Sequence, residues 1–256
     1  MSLNVQDAIM ELKRKKPVII FDLENENEGD LVYPSEILNE TILTFMINNC
    51  KGIICSTISY ENLKKLEIPV FSKKNKNLTG QTNFAFPIDH IDSETGISSK
   101  DRLLVIKELI SDNPNKDNIV YPGHQNILKI SENGLKSRQG HTESSSELVK
   151  LAGYKESATI CEIIGNNGEP LRYNDMLDFC EKFDIKLVLL SEIYKYYLNK
   201  INIKPEINLS NSLDYINNKK VIITGGSSGI GKSISNKLKQ LNCNVIDFSR
   251  KNNLDI

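Results

Sequence analysis

Pro17-Val-Ile-Ile-Phe21, followed at once by Asp22-Leu-Glu24-Asn-Glu26-Asn-Glu28-Gly-Asp30, decides how this chain is read. The apolar run after the proline predicts a strand buried on both faces. The next stretch sets five carboxylates at alternate positions over nine residues. In an extended conformation all five project to one face. Like charges that close repel, so the array needs water, basic partners or a cation. Hard oxygen ligands favour Mg2+ or Mn2+ over zinc. The plain alternative is a solvated acidic loop. Its place at the carboxyl end of a buried strand favours a site, because α/β sites form there.

Outward from this stretch, strand and helix patterns alternate. Val5, Ile9 and Leu12 recur at helical spacing before the strand. After it, Ser35 is expected to cap a helix carrying Ile37, Leu38, Ile42, Phe45 and Met46, and Gly52-Ile-Ile-Cys55 reads as a second strand. Ser98-x-x-Asp101 has the form of a capping box opening a helix with Leu103, Ile106 and Ile110. Ala158 to Ile164 predicts another strand, leaving through Gly165-Asn-Asn-Gly168. Helix Met176–Phe183, strand Lys186–Leu190 and helix Glu192–Leu198 complete the series. The alternation predicts an α/β three-layer sandwich over residues 1–200, a mixed sheet covered by helices. Residues 201–218, rich in Asn and Lys, read as a linker. Residues 219–256 then read as an incomplete Rossmann-like β-α-β fragment, with strands at Val221–Thr224 and Val245–Phe248.

The 256 residues carry 32 Lys and Arg against 33 Asp and Glu, a formal net charge of −1. That balance argues against nucleic-acid or membrane-surface partners, which favour a basic excess. No apolar run approaches the roughly 18–20 residues that span a bilayer. Met1–Lys16 lacks a signal-peptide core. Five cysteines, without a CxxC pair, fit reduced thiols in a cytoplasmic protein.

Three histidines are present. His124 follows Tyr-Pro-Gly, and His141 lies in Arg138-Gln139-Gly140-His141-Thr142-Glu143. Arg138 can fork onto a phosphate, Gly140 permits close backbone approach, Thr142 can donate a hydrogen bond, and His141 can ligate a metal. Taken singly, each histidine also reads as a surface or satisfied core residue, and His90 is left at that reading. Glu162 lies inside the apolar strand Ile160-Cys-Glu-Ile-Ile164. On a desolvated face its carboxyl would be held protonated and able to move protons near neutrality; on an edge strand it would simply face water.

In order and spacing, Pro17–Asp22, Glu26-Asn-Glu-Gly-Asp30, Thr95-Gly-Ile-Ser98 with Asp101-Arg102, Pro122-Gly-His124, Arg138-x-Gly-His-Thr-Glu143 and Ile160-Cys-Glu162 resemble the 3,4-dihydroxy-2-butanone-4-phosphate synthase family over about residues 3–200. The resemblance implies a Mg2+-dependent (or Mn2+-dependent) lyase that converts D-ribulose 5-phosphate into the butanone phosphate and formate for riboflavin. It implies Glu26 and His141 as metal ligands and His124 and Glu162 as the proton-transfer pair. Substrate contacts then fall to Asn25, Glu26, Asp30, Arg138, Gln139, Gly140, His141 and Thr142. Family members are homodimers with sites at the subunit interface, so a homodimer is expected. Two alternatives accompany this reading: a pentulose-phosphate lyase of another pathway within a synthase–reductase fusion, and an inactive metal- and sugar-phosphate-binding domain. The acidic loop departs from the family's usual Asp-Asp-Glu-Asp-Arg-Glu, since Leu23 replaces a carboxylate and Asn25 an arginine.

Thr224-Gly-Gly-Ser-Ser-Gly-Ile-Gly231 resembles the cofactor motif of short-chain dehydrogenases/reductases, with Gly225, Gly229 and Gly231 as its glycines. Ser249-Arg250 after the next strand would favour NADP. The segment lacks the later strands and the Tyr-x-x-x-Lys pair of such enzymes. NADP is therefore expected only with a longer reductase domain, of which this is a truncated or vestigial piece.

Overall fold

Asn4 opens the first helix, α1 (Val5–Lys13), by accepting the Asp7 N–H, and Val5, Ala8, Ile9 and Leu12 form its buried stripe. The computed structural model describes residues 4–71, 82–200, 220–224 and 229–248. The chain divides into two units, Met1–Tyr197 and Leu198–Ile256. The expected linker, Gly225, Ser249 and Arg250 lie outside the described residues.

The first unit holds a seven-stranded sheet of β1 (Val18–Asp22), β2 (Glu28–Pro34), β3 (Cys55–Ile58), β4 (Phe84–His90), β5 (Ile119–Lys129), β6 (Ala158–Glu162) and β7 (Lys186–Leu189). The order is β4-β5-β3-β6-β2-β1-β7. It is mixed: β1 pairs β7 and β3 pairs β5 in parallel, while β1·β2, β2·β6, β3·β6 and β4·β5 are antiparallel. Successive side chains of β1 point to opposite faces. Val18 and Ile20 join a core under α1, α5 (His141–Leu151) and α7 (Leu190–Lys200). Ile19 and Phe21 join another core under α2 (Glu40–Phe45), α4 (Ser99–Leu109) and α6 (Tyr173–Phe183). Helices thus cover both faces, and β1 is buried throughout. A third cluster packs the short helix α3 (Tyr60–Lys65) and part of α4 against β4 and β5.

Three local expectations are corrected. Ser35 caps no helix, because its hydroxyl is buried against Thr159 and Ser157; α2 starts later, capped by Asn39. The second strand begins at Cys55 rather than Gly52, since Lys51 turns through φ +68 and Ile53 is exposed. The acidic stretch is not one extended row. It folds into a hairpin whose second arm is β2, so Asp22 stands opposite Glu28.

In the second unit β8 (Lys220–Thr224) and β9 (Asn244–Phe248) pair in parallel, with α8 (Gly229–Gln240) between them in sequence. Among the described residues no helix is long and apolar enough to cross a membrane.

Candidate active site

Asp22 ends β1 and makes the turn that follows it. Its Oδ1 accepts the N–H groups of Glu24 and Asn25, each at 3.1 Å, and the Asn25 amide donates to Oδ2 at 3.2 Å. The Asn25 side chain is therefore folded back on the loop as a structural brace. On the other side, Arg172, the N-cap residue of α6, donates from Nη1 to the Asn27 carbonyl at 3.0 Å. Between these two fixings the Glu26 carboxylate reaches the first residue of α5, with Oε2 at 3.2 Å from Nδ1 of His141.

His141 is buried, and its Nε2 has no hydrogen-bond partner. Burial alone would push the imidazole towards its neutral form. The Asp30 carboxylate and the Glu26 hydrogen bond outweigh it, and its pKa is raised to about 9. The same hydrogen bond lowers the Glu26 carboxyl against the opposing effect of burial. Asp30, buried on β2, is pushed up by desolvation.

Glu162 ends β6 directly opposite Asp30. Burial, then the Asp30 charge, raise its pKa to about 7. Its Oε2 accepts the Ile53 N–H at 2.8 Å. This approach needs Gly52, because a Cβ there would strike the Glu162 carbonyl oxygen and lie 2.8 Å from Oε2.

His124 lies on β5, two residues before Asn126, which pairs with Cys55. Glu162 lies two residues after Ile160, which pairs with Cys55 from the other side. Both groups therefore flank residues 52–54 at one end of the sheet, the end at which Asp22 and Asp30 also sit. Nδ1 of His124 is 2.8 Å from Oδ2 of Asp89 on β4, and Arg102 Nη1 donates to the His124 carbonyl at 2.9 Å.

The remaining expected residues surround α5. Arg138 donates from Nη1 to the buried Glu143 at 2.6 Å and from Nη2 to Thr82 at 2.8 Å. Gly140 is the N-cap residue of α5, and a Cβ there would meet the Arg138 guanidinium. Thr142 is buried, and its carbonyl accepts from Ser145 and Ser146. Gln139 lines a cavity of about 270 Å3 with Leu23, Asn25 and Tyr194, behind the hairpin. Gly229 and Gly231 open α8 in the second unit. Sequence reasoning missed Asp89 and Arg172 as site supports, since only tertiary pairing brings them to His124 and the hairpin.

The sheet is a mixed α/β one that gathers carboxylates and imidazoles at one end, as α/β proteins with a site at a sheet end do. The family profile described as 3,4-dihydroxy-2-butanone 4-phosphate synthase matches residues 6–196, and the chain belongs to that family. A 3,4-dihydroxy-2-butanone 4-phosphate synthase of Campylobacter jejuni is 35% identical over 196 residues, covering 76% of this chain and 58% of the relative. The riboflavin biosynthesis protein RibBA of Staphylococcus aureus is 35% identical over 205 residues, covering 80% of this chain and 51% of the relative. The chain thus spans little more than half the length of these curated relatives. A solved 3,4-dihydroxy-2-butanone 4-phosphate synthase in complex with two magnesium ions superposes with a TM-score of 0.70 at 26% identity, covering 77% of this chain and 97% of that one. The family match stops short of the second unit.

Proposed function

We propose that this chain is a divalent-metal-dependent lyase converting D-ribulose 5-phosphate into 3,4-dihydroxy-2-butanone 4-phosphate and formate, which supplies four carbons to riboflavin. Family membership supports the reaction, and the Glu26–His141 contact carries the assignment to these residues. Among the described residues no three or more His, Cys, Asp or Glu side chains form a metal cage. A two-residue site suits Mg2+, which keeps several waters and takes substrate oxygens as further ligands. The Glu26 carboxylate in contact with Nδ1 of the His141 imidazole fits such a site, so Glu26 and His141 would hold the ion in place of the hydrogen bond between them. Mg2+ is preferred, since a solved relative carries two magnesium ions; Mn2+ has similar ligand tastes. When bound, the ion stabilises negative charge developing on the sugar's carbonyl and neighbouring hydroxyl.

The protein's own groups supply the rest. Glu162, balanced near neutrality, takes and returns the proton at carbon. His124 moves protons at the hydroxyls as water leaves C1, the skeleton rearranges and C4 departs as formate. Asp30, buried on β2 opposite Glu162, hydrogen-bonds a substrate hydroxyl. Arg138, held by Glu143, faces the phosphate with Thr142 and Gly140.

A homodimer is part of the proposal. Ile53 and Ile97, beside the segments that support Glu162 and His124, are 54% and 55% exposed, and Val120 and Tyr121 are exposed on β5. An apolar surface so close to the site suits a second copy. Residues 219–256 are proposed as the first β-α-β of a short-chain dehydrogenase/reductase, supported by the parallel β8–β9 pair and the glycine run before α8. NADP would bind only where a longer reductase domain completes it.

The test is product identification by 13C NMR with [4-13C]-D-ribulose 5-phosphate and Mg2+. The label is expected in formate, in equal amount to the butanone phosphate. Unchanged substrate, or label retained in the phosphate product, contradicts the assignment.

A further inference from the structure

We infer that Asp89 is the positioning residue for His124, fixing its ring so that Nε2 is the nitrogen presented to substrate. The inference rests on the reading of His124 as a proton-transfer group.

One carboxylate holds both the backbone and the ring of the same residue. Asp89 Oδ1 accepts the His124 N–H at 2.9 Å, and Oδ2 lies 2.8 Å from Nδ1. Two bonds from one rigid acceptor leave the imidazole little freedom to turn. A neutral imidazole has one donor and one acceptor nitrogen, and a carboxylate selects the donor. Nδ1 therefore carries the hydrogen and Nε2 the lone pair.

The surrounding chain is shaped to this pair. The β4–β5 register is irregular between Ile88 and Asp89, and Asp89 pairs with Val120 while Ile88 pairs with Gln125. Residues 121–124 are thus the excess of a bulge, a device that re-aims a side chain. Gly123 fits there because a Cβ would collide with the backbone of Ile88 and Asp89. From the α4 side, Gly96 at φ +81 is pressed against the pair, and a Cβ would strike both Asp89 Oδ2 and His124 Nδ1. Buried Asp101 fixes that loop by accepting the Gly96 N–H at 3.0 Å and the Thr95 N–H at 3.3 Å. Arg102 closes the frame, donating from Nε to the Ile97 carbonyl at 3.1 Å and from Nη1 to the His124 carbonyl. The His124 side chain itself is 48% exposed, whereas Asp89 is 16% exposed. The support is inside, and the ring it holds is half-exposed.

The test combines ring-15N histidine NMR on the full chain with steady-state kinetics. In the wild-type protein the neutral His124 ring, assigned by its loss in His124→Ala, is expected as the Nδ1–H tautomer. Asp89→Asn is expected to abolish that preference and lower kcat roughly 10²-fold with KM within about twofold. Asp89→Glu should restore part of kcat. An Nε2–H tautomer in the wild type overturns the inference whether or not Asp89→Asn folds, as does Asp89→Asn with wild-type kcat. Full activity in His124→Ala would instead overturn the reading of His124 itself.

Discussion

The Glu26 carboxylate meets the His141 imidazole at 3.2 Å although 115 residues separate them. The contact joins the hairpin after β1 to the first turn of α5, where the helix dipole adds to the attraction for an anion. Because a ligand that binds only the folded state stabilises it, Mg2+ at about 100 times its Kd should raise the wild-type melting temperature by roughly 5 °C. Glu26→Ala should remove that rise. Differential scanning fluorimetry with and without Mg2+ reads both, and an equal rise in the variant would place the ion elsewhere.

Glu162 gives a pH dependence of defined sign. Its pKa is raised from 4.5 to about 7, so the folded state holds the proton more tightly than the unfolded chain. The stability it contributes is full below about pH 4.5 and is lost as pH rises through about 7. The stability of wild type minus that of Glu162→Gln should fall by about 2–3 kcal/mol across this window, measured by urea unfolding at several pH values. A flat difference would mean that the carboxylate is well solvated.

Gly52→Ala places a methyl on the Glu162 carbonyl oxygen and against its carboxylate. The backbone oxygen cannot yield cheaply, so a loss of about 1–3 kcal/mol is expected. Turnover should drop as well, because the Ile53 N–H is displaced from Glu162. Thermal melts and rate assays on one preparation check both effects.

Glu143 is buried and binds Arg138 at 2.6 Å together with the Ser131 hydroxyl at 2.8 Å. Glu143→Ala removes the buried carboxylate that anchors the half-buried Arg138 guanidinium, which costs about 1–3 kcal/mol. Urea unfolding should show that loss, with a smaller one for Glu143→Gln. A change below about 0.5 kcal/mol would show the pair to be well hydrated.

The parts of the fold that were legible in the sequence are those with local periodicity. α1 follows its apolar stripe, α4 its cap and stripe, and β1, β6 and β7 their apolar runs. β2 was obscured because its first residues carry the charges of the site, so Leu31-Val-Tyr33 was not separated from an acidic loop. Ser35 misled because a capping residue and a buried hydroxyl look alike until Thr159 is brought beside it. Glu26, His124, His141 and Glu162 could each be singled out in sequence, and the structure adds what each one touches. The Asp89–His124 pair was hidden for another reason. The two residues lie 35 positions apart on strands whose pairing carries an irregular register.

The most direct test is formate release from purified, EDTA-treated protein with D-ribulose 5-phosphate, before and after Mg2+ is restored, beside His124→Ala. The proposed lyase activity releases formate only with Mg2+, and none above background in the variant. Formate that is indifferent to EDTA, or none from folded, Mg2+-loaded wild-type protein, would contradict it.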